Sequence, residues 1–410
     1  MTEFLTLLPP SEALARFLKQ IAFSPETEII PTSEAVGRVT GCAYYAPHPL
    51  PTFRRSTVDG YAVRARDTYG ASETLPVYLR VIDEVAMGSQ SQQVVNSGEC
   101  VLIHTGGMLP EEADSVIMLE HTQSAQPGEI EVYRGLAVGE NIINVGEDIQ
   151  TGMEVLSAGR RLRPSEIGGL MALGIISIQV FKRPRVGILS SGDEIIPAEQ
   201  DLTPGKVRDV NAYTLASLVG RAGGVPINYG IASDKEEDLY EKASRAFSEC
   251  DMLVITAGSS VSTRDLTARV IQRLGEPGVI VHGVNIRPGK PTILGVCDNK
   301  PVIGLPGNPV SALVIASLFV IPIVERLGGS TPTQFQATIS ATLTINLSSQ
   351  AGREEWVAVR LIKTPEGIQA EPIFGKSNLI FTLVRADGLI RIEADATGLP
   401  AGSIVDVHLL

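Results

Sequence analysis

The residues best suited to chemistry are Arg287-Pro288-Gly289-Lys290-Pro291, where two cations sit on a backbone stiffened by two prolines and bent at a glycine. A fixed pair of positive charges suits a compact oxyanion. Four other loops carry glycine, serine or acid residues: Ser190-Ser191-Gly192-Asp193-Glu194, Ser233-Asp234, Ala257-Gly258-Ser259-Ser260 and Pro306-Gly307-Asn308-Pro309. Small residues let backbone N–H groups approach a phosphate or similar anion, helix N-termini add positive potential, and Lys or Arg supplies full charge. Glu194, Asp234 and Asp265 would repel such a ligand unless a divalent cation lay between carboxylate and ligand oxygens, so the pattern predicts Mg²⁺.

Each feature also has a structural explanation. Ser262-x-x-Asp265 and Ser233-x-x-Glu236 both match the capping box, in which side chains satisfy the free N–H groups of a helix start. Pro309 fits a first helical turn and Pro306-Gly307 an ordinary strand-to-helix turn. The coincidence of several such loops at one sheet edge favours function, because ligands of open parallel sheets bind where βα loops converge.

The elements that must position these loops begin at Lys182-Arg183-Pro184-Arg185, after which apolar strands alternate with helices. Strands are expected at 186–189, 225–231, 252–256, 279–284 and 302–305, and helices at 211–221, 234–248, 263–274 and from Val310. This is a doubly wound, mostly parallel α/β sheet. Before it, Leu14, Phe17, Leu18 and Ile21 share one helical face, as do Ile167, Leu170, Met171 and Leu173, so the two helices could pack together. Short β-rich runs from about Ser72 to Glu140 would then be inserted in a helical domain. Beyond Thr331, alternating runs such as 356–361, 389–392 and 404–409 suggest a small terminal β barrel. The expected domains are residues 1–180, with a β insertion at about 50–145, then 181–330 and 331–410.

A chain of 410 residues fits about three domains at ~150 residues each. A net charge of −12 argues against nucleic acid as a partner, since phosphate neutralisation needs a basic surface. Four scattered cysteines without a C-x-x-C pair read as buried thiols of a reducing cytoplasm. The first residues lack a basic segment followed by an apolar run, so export is not expected. The apolar stretch 312–324 is shorter than the ~20 residues that span a bilayer and reads as a buried helix, so no membrane is expected.

The N-terminal half adds Ser56-Thr57-Val58-Asp59-Gly60-Tyr61-Ala62, then Ile103-His104-Thr105-Gly106 with Ala113-Asp114 and Glu120, then Gly146-Glu147-Asp148. Singly these read as turns. In this order, and with Ser191-Gly192-Asp193-Glu194, Arg287 to Pro291 and Leu305-Pro306-Gly307-Asn308-Pro309-Val310-Ser311, they closely resemble the molybdopterin molybdotransferase family, which includes MoeA proteins and the gephyrin E domain. The resemblance covers essentially the whole chain. It implies Mg²⁺-dependent insertion of molybdate into adenylylated molybdopterin with release of AMP. It further implies a homodimer in which Asp59, Thr105 and Asp148 face the pocket across the subunit interface, and a molybdopterin adenylyltransferase as a partner. Position by position, Arg287, Lys290 and Ser311 would hold molybdate, joined by Arg353 and Ser377. Glu194, Asp234 and Asp265 would serve metal and phosphates, and Gly258, Ser260, Pro306, Asn308 and Pro309 would line the substrate.

Two departures bear on selectivity. The family's Gly-Gly-Val-Ser-Val-Gly loop is here Ala257-Gly258-Ser259-Ser260-Val261-Ser262, and Arg287 replaces a lysine, presenting a planar fork in place of a point charge. A tungstate-inserting paralogue, a gephyrin-like scaffold without catalysis, and adenylyl transfer to the pterin are the competing readings.

Overall fold

The computed structural model describes residues 7–257, 261–330 and 338–410. The chain forms two compact units: residues 1–41, 159–163 and 177–410 make the first, and residues 42–158 and 164–176 the second.

The first unit is organised by a six-stranded sheet. Its strands are β1 (Arg185–Ser191), β2 (Val225–Ala232), β3 (Met252–Ala257), β4 (Pro277–His282), β5 (Ile293–Cys297) and β6 (Lys300–Pro306), in spatial order β2-β1-β3-β6-β5-β4. β1, β2, β3 and β6 pair in parallel, so Ser191, Ala232, Ala257 and Pro306 all end at one edge. The sheet is buried on both faces. Met252 and Val254 enter one apolar cluster and Leu253 and Ile255 the other, the two-residue alternation of a strand.

Helix α2 (Asn211–Arg221) buries Ala212, Leu215, Leu218 and Val219 on the first face, at spacings of three and four. On the opposite face α3 (Glu236–Glu249) buries Leu239, Ala243 and Ala246, and α4 (Val261–Leu274) adds Leu266 and Val270. Each large aliphatic side chain so buried contributes roughly 1.5–3 kcal/mol.

Strand β5 falls outside the alternation of strands and helices read from the sequence. It reaches β6 through Asp298 (φ 46°) and Asn299 (φ 67°), with Cys297 opposite Lys300. Two consecutive positive φ values define a tight hairpin turn that, among residues with a side chain, Asp and Asn tolerate best. This hairpin reverses β5 within an otherwise parallel sheet.

Helix α1 (Pro10–Leu18) buries Ala13 and Phe17 in the same cluster as α2. α1 completes the α/β core of the first unit, and the Pro164–Ala172 helix belongs to the second unit. The bilayer argument from length is corrected here. The helix α5 (Pro309–Ile315) continues through a π-helical turn, Ala316–Val320, into Ile321–Leu327, making 19 residues that are long and apolar enough to cross a membrane. Its Val314, Ile315, Phe319, Val320 and Ile323 are instead packed in the core of the sheet.

The terminal region closes a barrel of five strands. These are β7 (Thr338–Leu343), β8 (Glu354–Thr364), β9 (Gly367–Pro372), β10 (Gly388–Ile392) and β11 (Ile404–Leu409), and closure follows because the long β8 pairs with both β9 and β10. Ala341, Leu343, Val359, Ala370, Ile390 and Val407 fill its interior.

The second unit holds a six-stranded sheet in which Gly60–Val63 lies between Glu99–Ile103 and Ser115–Met118. A Cβ at Gly60 would sit 1.9 Å from the Ile117 carbonyl oxygen, so only glycine fits that approach.

Candidate active site

Two cavities open at the carboxyl edge of the sheet of the first unit. One, of about 680 Å³, is bordered by Arg287, Lys290, Ser311, Arg353, Glu355 and Lys376. The other, of about 550 Å³, is bordered by Ser190, Glu194, Lys206, Arg208, Asp209 and Asn211. Gly307 and Asn308 border both.

The rib between them is fixed from both sides. The Asn211 side chain donates to the Gly307 carbonyl at 2.8 Å, Asn308 donates to the Ser377 hydroxyl at 3.0 Å, and the Val310 amide donates to the Ser377 carbonyl at 3.0 Å. Pro306 ends β6 and Pro309 opens the following helix, so the loop between them is only two residues long. The positions Pro306, Asn308, Ser311 and Ser377, read from the sequence, therefore converge on one cavity wall, and Pro309 borders the second cavity.

Charge in the first cavity is strongly positive. Arg287, Lys290, Arg353 and Lys376 face one carboxylate among the described lining residues, Glu355. Arg287 meets it at 3.0 Å through Nη1. Arg353 carries a buried Nε with no hydrogen-bond partner. A buried donor left unmade costs about 1–3 kcal/mol. An oxyanion is the ligand such a lining suits.

Glu194 and Asp234 lie on the loops after β1 and β2, at the same carboxyl edge of the sheet. Glu194 borders the second cavity, where its carboxylate folds over Gly192: a Cβ there would lie 2.7 Å from Glu194 Oε2. Asp234 is on the next loop, tied to the first by the Asp193 amide donating to Asp234 Oδ2 at 3.4 Å and the Asp234 amide donating to Asp193 Oδ1 at 3.2 Å. Asp265 is exposed on α4 and borders neither cavity. Among the described residues no three His, Cys, Asp or Glu side chains group closely enough to hold a metal by themselves. Mg²⁺ ordinarily takes one or two carboxylates and completes its shell with water and substrate phosphates, and Glu194 and Asp234 are the two carboxylates of the expected set carried by loops at this edge.

The Ser233 capping box is not formed. The Ser233 amide and hydroxyl both donate to Asp238, at 2.7 and 2.8 Å, while Glu236 pairs with Arg269 and Arg273. Gly258 and Ser260 lie outside the described residues.

In the second unit Asp59 accepts the Thr105 amide at 2.8 Å and the Thr105 hydroxyl at 3.2 Å, so two residues 46 positions apart are joined. The Thr105 amide, and then its hydroxyl, holds the Asp59 carboxyl below its ordinary value. Asp148 is exposed on a loop whose backbone bonds to Leu50, its amide donating to that carbonyl at 3.1 Å.

Several site residues escaped the sequence reading. Asp209 is buried and accepts the Ala212 amide at 3.0 Å, which caps α2 and places Asn211 against the rib. An acid two residues before the start of an apolar helix is a readable signal for this. Lys206 donates to the Asp193 carbonyl at 2.5 Å, and no local pattern announced it. Glu355 and Lys376 come from the barrel, where their neighbourhood depends on closure.

Three family models match in series: the MoeA N-terminal region (domain I and II) over residues 8–174, the probable molybdopterin binding domain over 187–326, and the MoeA C-terminal region (domain IV) over 340–410. A molybdopterin molybdenumtransferase of Bacillus subtilis is 32% identical over 424 aligned residues, covering 100% of this chain and 96% of that protein. One from Haemophilus influenzae is 31% identical over 410, covering 98% and 100%. The crystal structure of a molybdopterin biosynthesis MoeA protein from Pyrococcus horikoshii OT3 superposes with a TM-score of 0.86 at 33% identity, covering 99% of this chain and 100% of that one.

Proposed function

This chain belongs to the MoeA family of molybdopterin molybdenumtransferases, transferases of molybdenum cofactor biosynthesis, and from that premise we propose that it carries out the Mg²⁺-dependent insertion of molybdate into adenylylated molybdopterin, giving molybdenum cofactor and AMP. The observation that carries the reading is a cavity in which four cations, Arg287, Lys290, Arg353 and Lys376, face the single carboxylate of Glu355 among the described lining residues. Such a lining takes a compact dianion out of water, replacing its hydration with fixed donors.

Arg287, Lys290 and Arg353 supply the charge for molybdate, and Ser311 and Ser377 supply hydroxyls at the same wall. Across the Asn308 rib, Ser190, Ser191 and Asn211 offer polar groups to the nucleotide portion of the substrate. Glu194 and Asp234 would hold Mg²⁺, which when bound neutralises phosphate charge as the phosphoanhydride is broken. The rib keeps oxyanion and nucleotide in adjoining compartments, so that the dithiolene between them meets molybdenum at close range.

The resemblance extends the proposal in three respects. The working form is a homodimer, with Asp59, Thr105 and Asp148 of one copy serving the site of the other. A molybdopterin adenylyltransferase delivers the pterin. The protein acts in the cytoplasm.

The test is reconstitution with Mg²⁺, molybdate and adenylylated molybdopterin, read as active cofactor formed and AMP released. Changing both Arg287 and Lys290 to Ala is expected to abolish product, and full activity in that variant would remove the oxyanion site. Trp356, the sole tryptophan, borders the cation-lined cavity and is buried, so its emission should report molybdate entry. Competition with tungstate completes the experiment: a clear tungstate preference would replace molybdenum in the reading.

A further inference from the structure

We propose that Glu355 is a positioning residue that sets how the Arg287 guanidinium meets a tetrahedral oxyanion, an inference that rests on reading the 680 Å³ cavity as the molybdate site. Arg287 Nη1 lies 3.0 Å from Glu355 Oε1, and the Glu355 side chain is 12% exposed against 56% for Arg287. The second Glu355 oxygen accepts the Ser349 hydroxyl at 2.7 Å. The backbones are joined as well. Ile286 and Arg287 pair in parallel with Glu354 and Glu355, and the Asn285 side chain donates to the Gly352 carbonyl at 2.6 Å. A well-anchored carboxylate thus takes one nitrogen of a guanidinium that is itself open to the cavity.

The choice of arginine at this position follows from that arrangement. A guanidinium has five N–H donors in one rigid plane, so giving Nη1 to Glu355 fixes the plane and leaves the other donors for a ligand. A lysine would surrender to the carboxylate the single atom that carries its donors. Glu355 also places one negative charge among four cations, which opposes any anion that enters. It therefore acts in two opposed ways: orientation favours a ligand whose oxygens match the fixed donors, and charge weakens all anions alike.

These two actions separate under substitution. Glu355→Gln keeps an acceptor for Arg287 and removes the charge. Glu355→Ala removes both. Calorimetric titration of the full chain with molybdate and with sulfate, a dianion of the same shape and smaller size, gives an affinity for each and their ratio. Glu355→Gln is expected to tighten both anions roughly tenfold with the ratio retained. Glu355→Ala is expected to collapse the ratio toward one. Arg287→Lys removes the planar fork without touching the buried carboxylate, so it carries the same test of the ratio should the alanine variant fail to fold.

Unchanged affinities in Glu355→Gln, or a wild-type ratio in both Glu355→Ala and Arg287→Lys, would overturn the proposal. A wild-type protein that binds no molybdate would instead defeat the functional reading beneath it.

Discussion

The Asn308 side chain donates to the Ser377 hydroxyl at 3.0 Å, and by that bond a loop of the α/β sheet is fastened to a segment of the terminal barrel region. Both cavities share Asn308, so its loss should be felt in both. Asn308→Ala is expected to cost about 1 kcal/mol of stability and to weaken molybdate and AMP together. Titrations of each ligand check this, and an effect confined to one of them would show that the rib does not couple the compartments.

Gly60 has no room for a side chain, because the Ile117 carbonyl oxygen would lie 1.9 Å from a Cβ. Gly60→Ala must separate two paired strands and is expected to cost about 1–3 kcal/mol, seen as a lowered unfolding midpoint. The neighbouring Thr57→Ala, at an exposed position, should leave the midpoint within about 0.5 kcal/mol.

Burial pushes the Cys100 and Cys297 thiols up to about 12, so neither forms thiolate near neutral pH. Cys42 is half-buried. A thiol reagent at neutral pH should label Cys42 first, and Cys100 and Cys297 only as the protein unfolds. Mass spectrometry of the labelled peptides reads the order, and early labelling of Cys100 would contradict the packing around it.

Asp59 has a carboxyl held low by the Thr105 amide and hydroxyl. With the folded value depressed, the unfolded chain takes up the proton first as pH falls. The contribution to stability is complete above the ordinary carboxylate value and is lost as pH falls through the folded one. The Thr105 amide resonance should accordingly stay constant from neutral pH down to about 4 and shift only below it. A shift centred above that range would mean the bond to Asp59 is not made in solution.

What was legible in the sequence was whatever depends on local period or local punctuation. The helix at 211–221 follows from its apolar spacing, and the strand at 404–409 from alternation; both are found with those bounds. Strand β5 was missed although Asp298-Asn299 marks its turn, because Ile293–Cys297 is a continuous apolar run without period. The cations Arg287 and Lys290 could be picked out from chain stiffness and charge alone. Their carboxylate partner could not, since Glu355 meets Arg287 through the pairing of β8 with Ile286–Arg287, which joins residues 68 apart in the chain. The rib between the two cavities was hidden for a similar reason: it includes the bond from Asn308 to Ser377, a contact across 69 positions.

The chain passes between its two units at 41/42, 158/159, 163/164 and 176/177. Neither unit can therefore be released by one proteolytic cut, and no single stop codon yields either of them intact. A truncation after residue 181 would keep the opening strand Thr27–Pro31 and its partner Ser177–Phe181 but discard the sheet whose core receives Phe17. A faithful dissection of this molecule needs a shortcut peptide joining residue 41 to 177, with the short 159–163 return sacrificed, so that the catalytic scaffold is rebuilt as one unbroken thread.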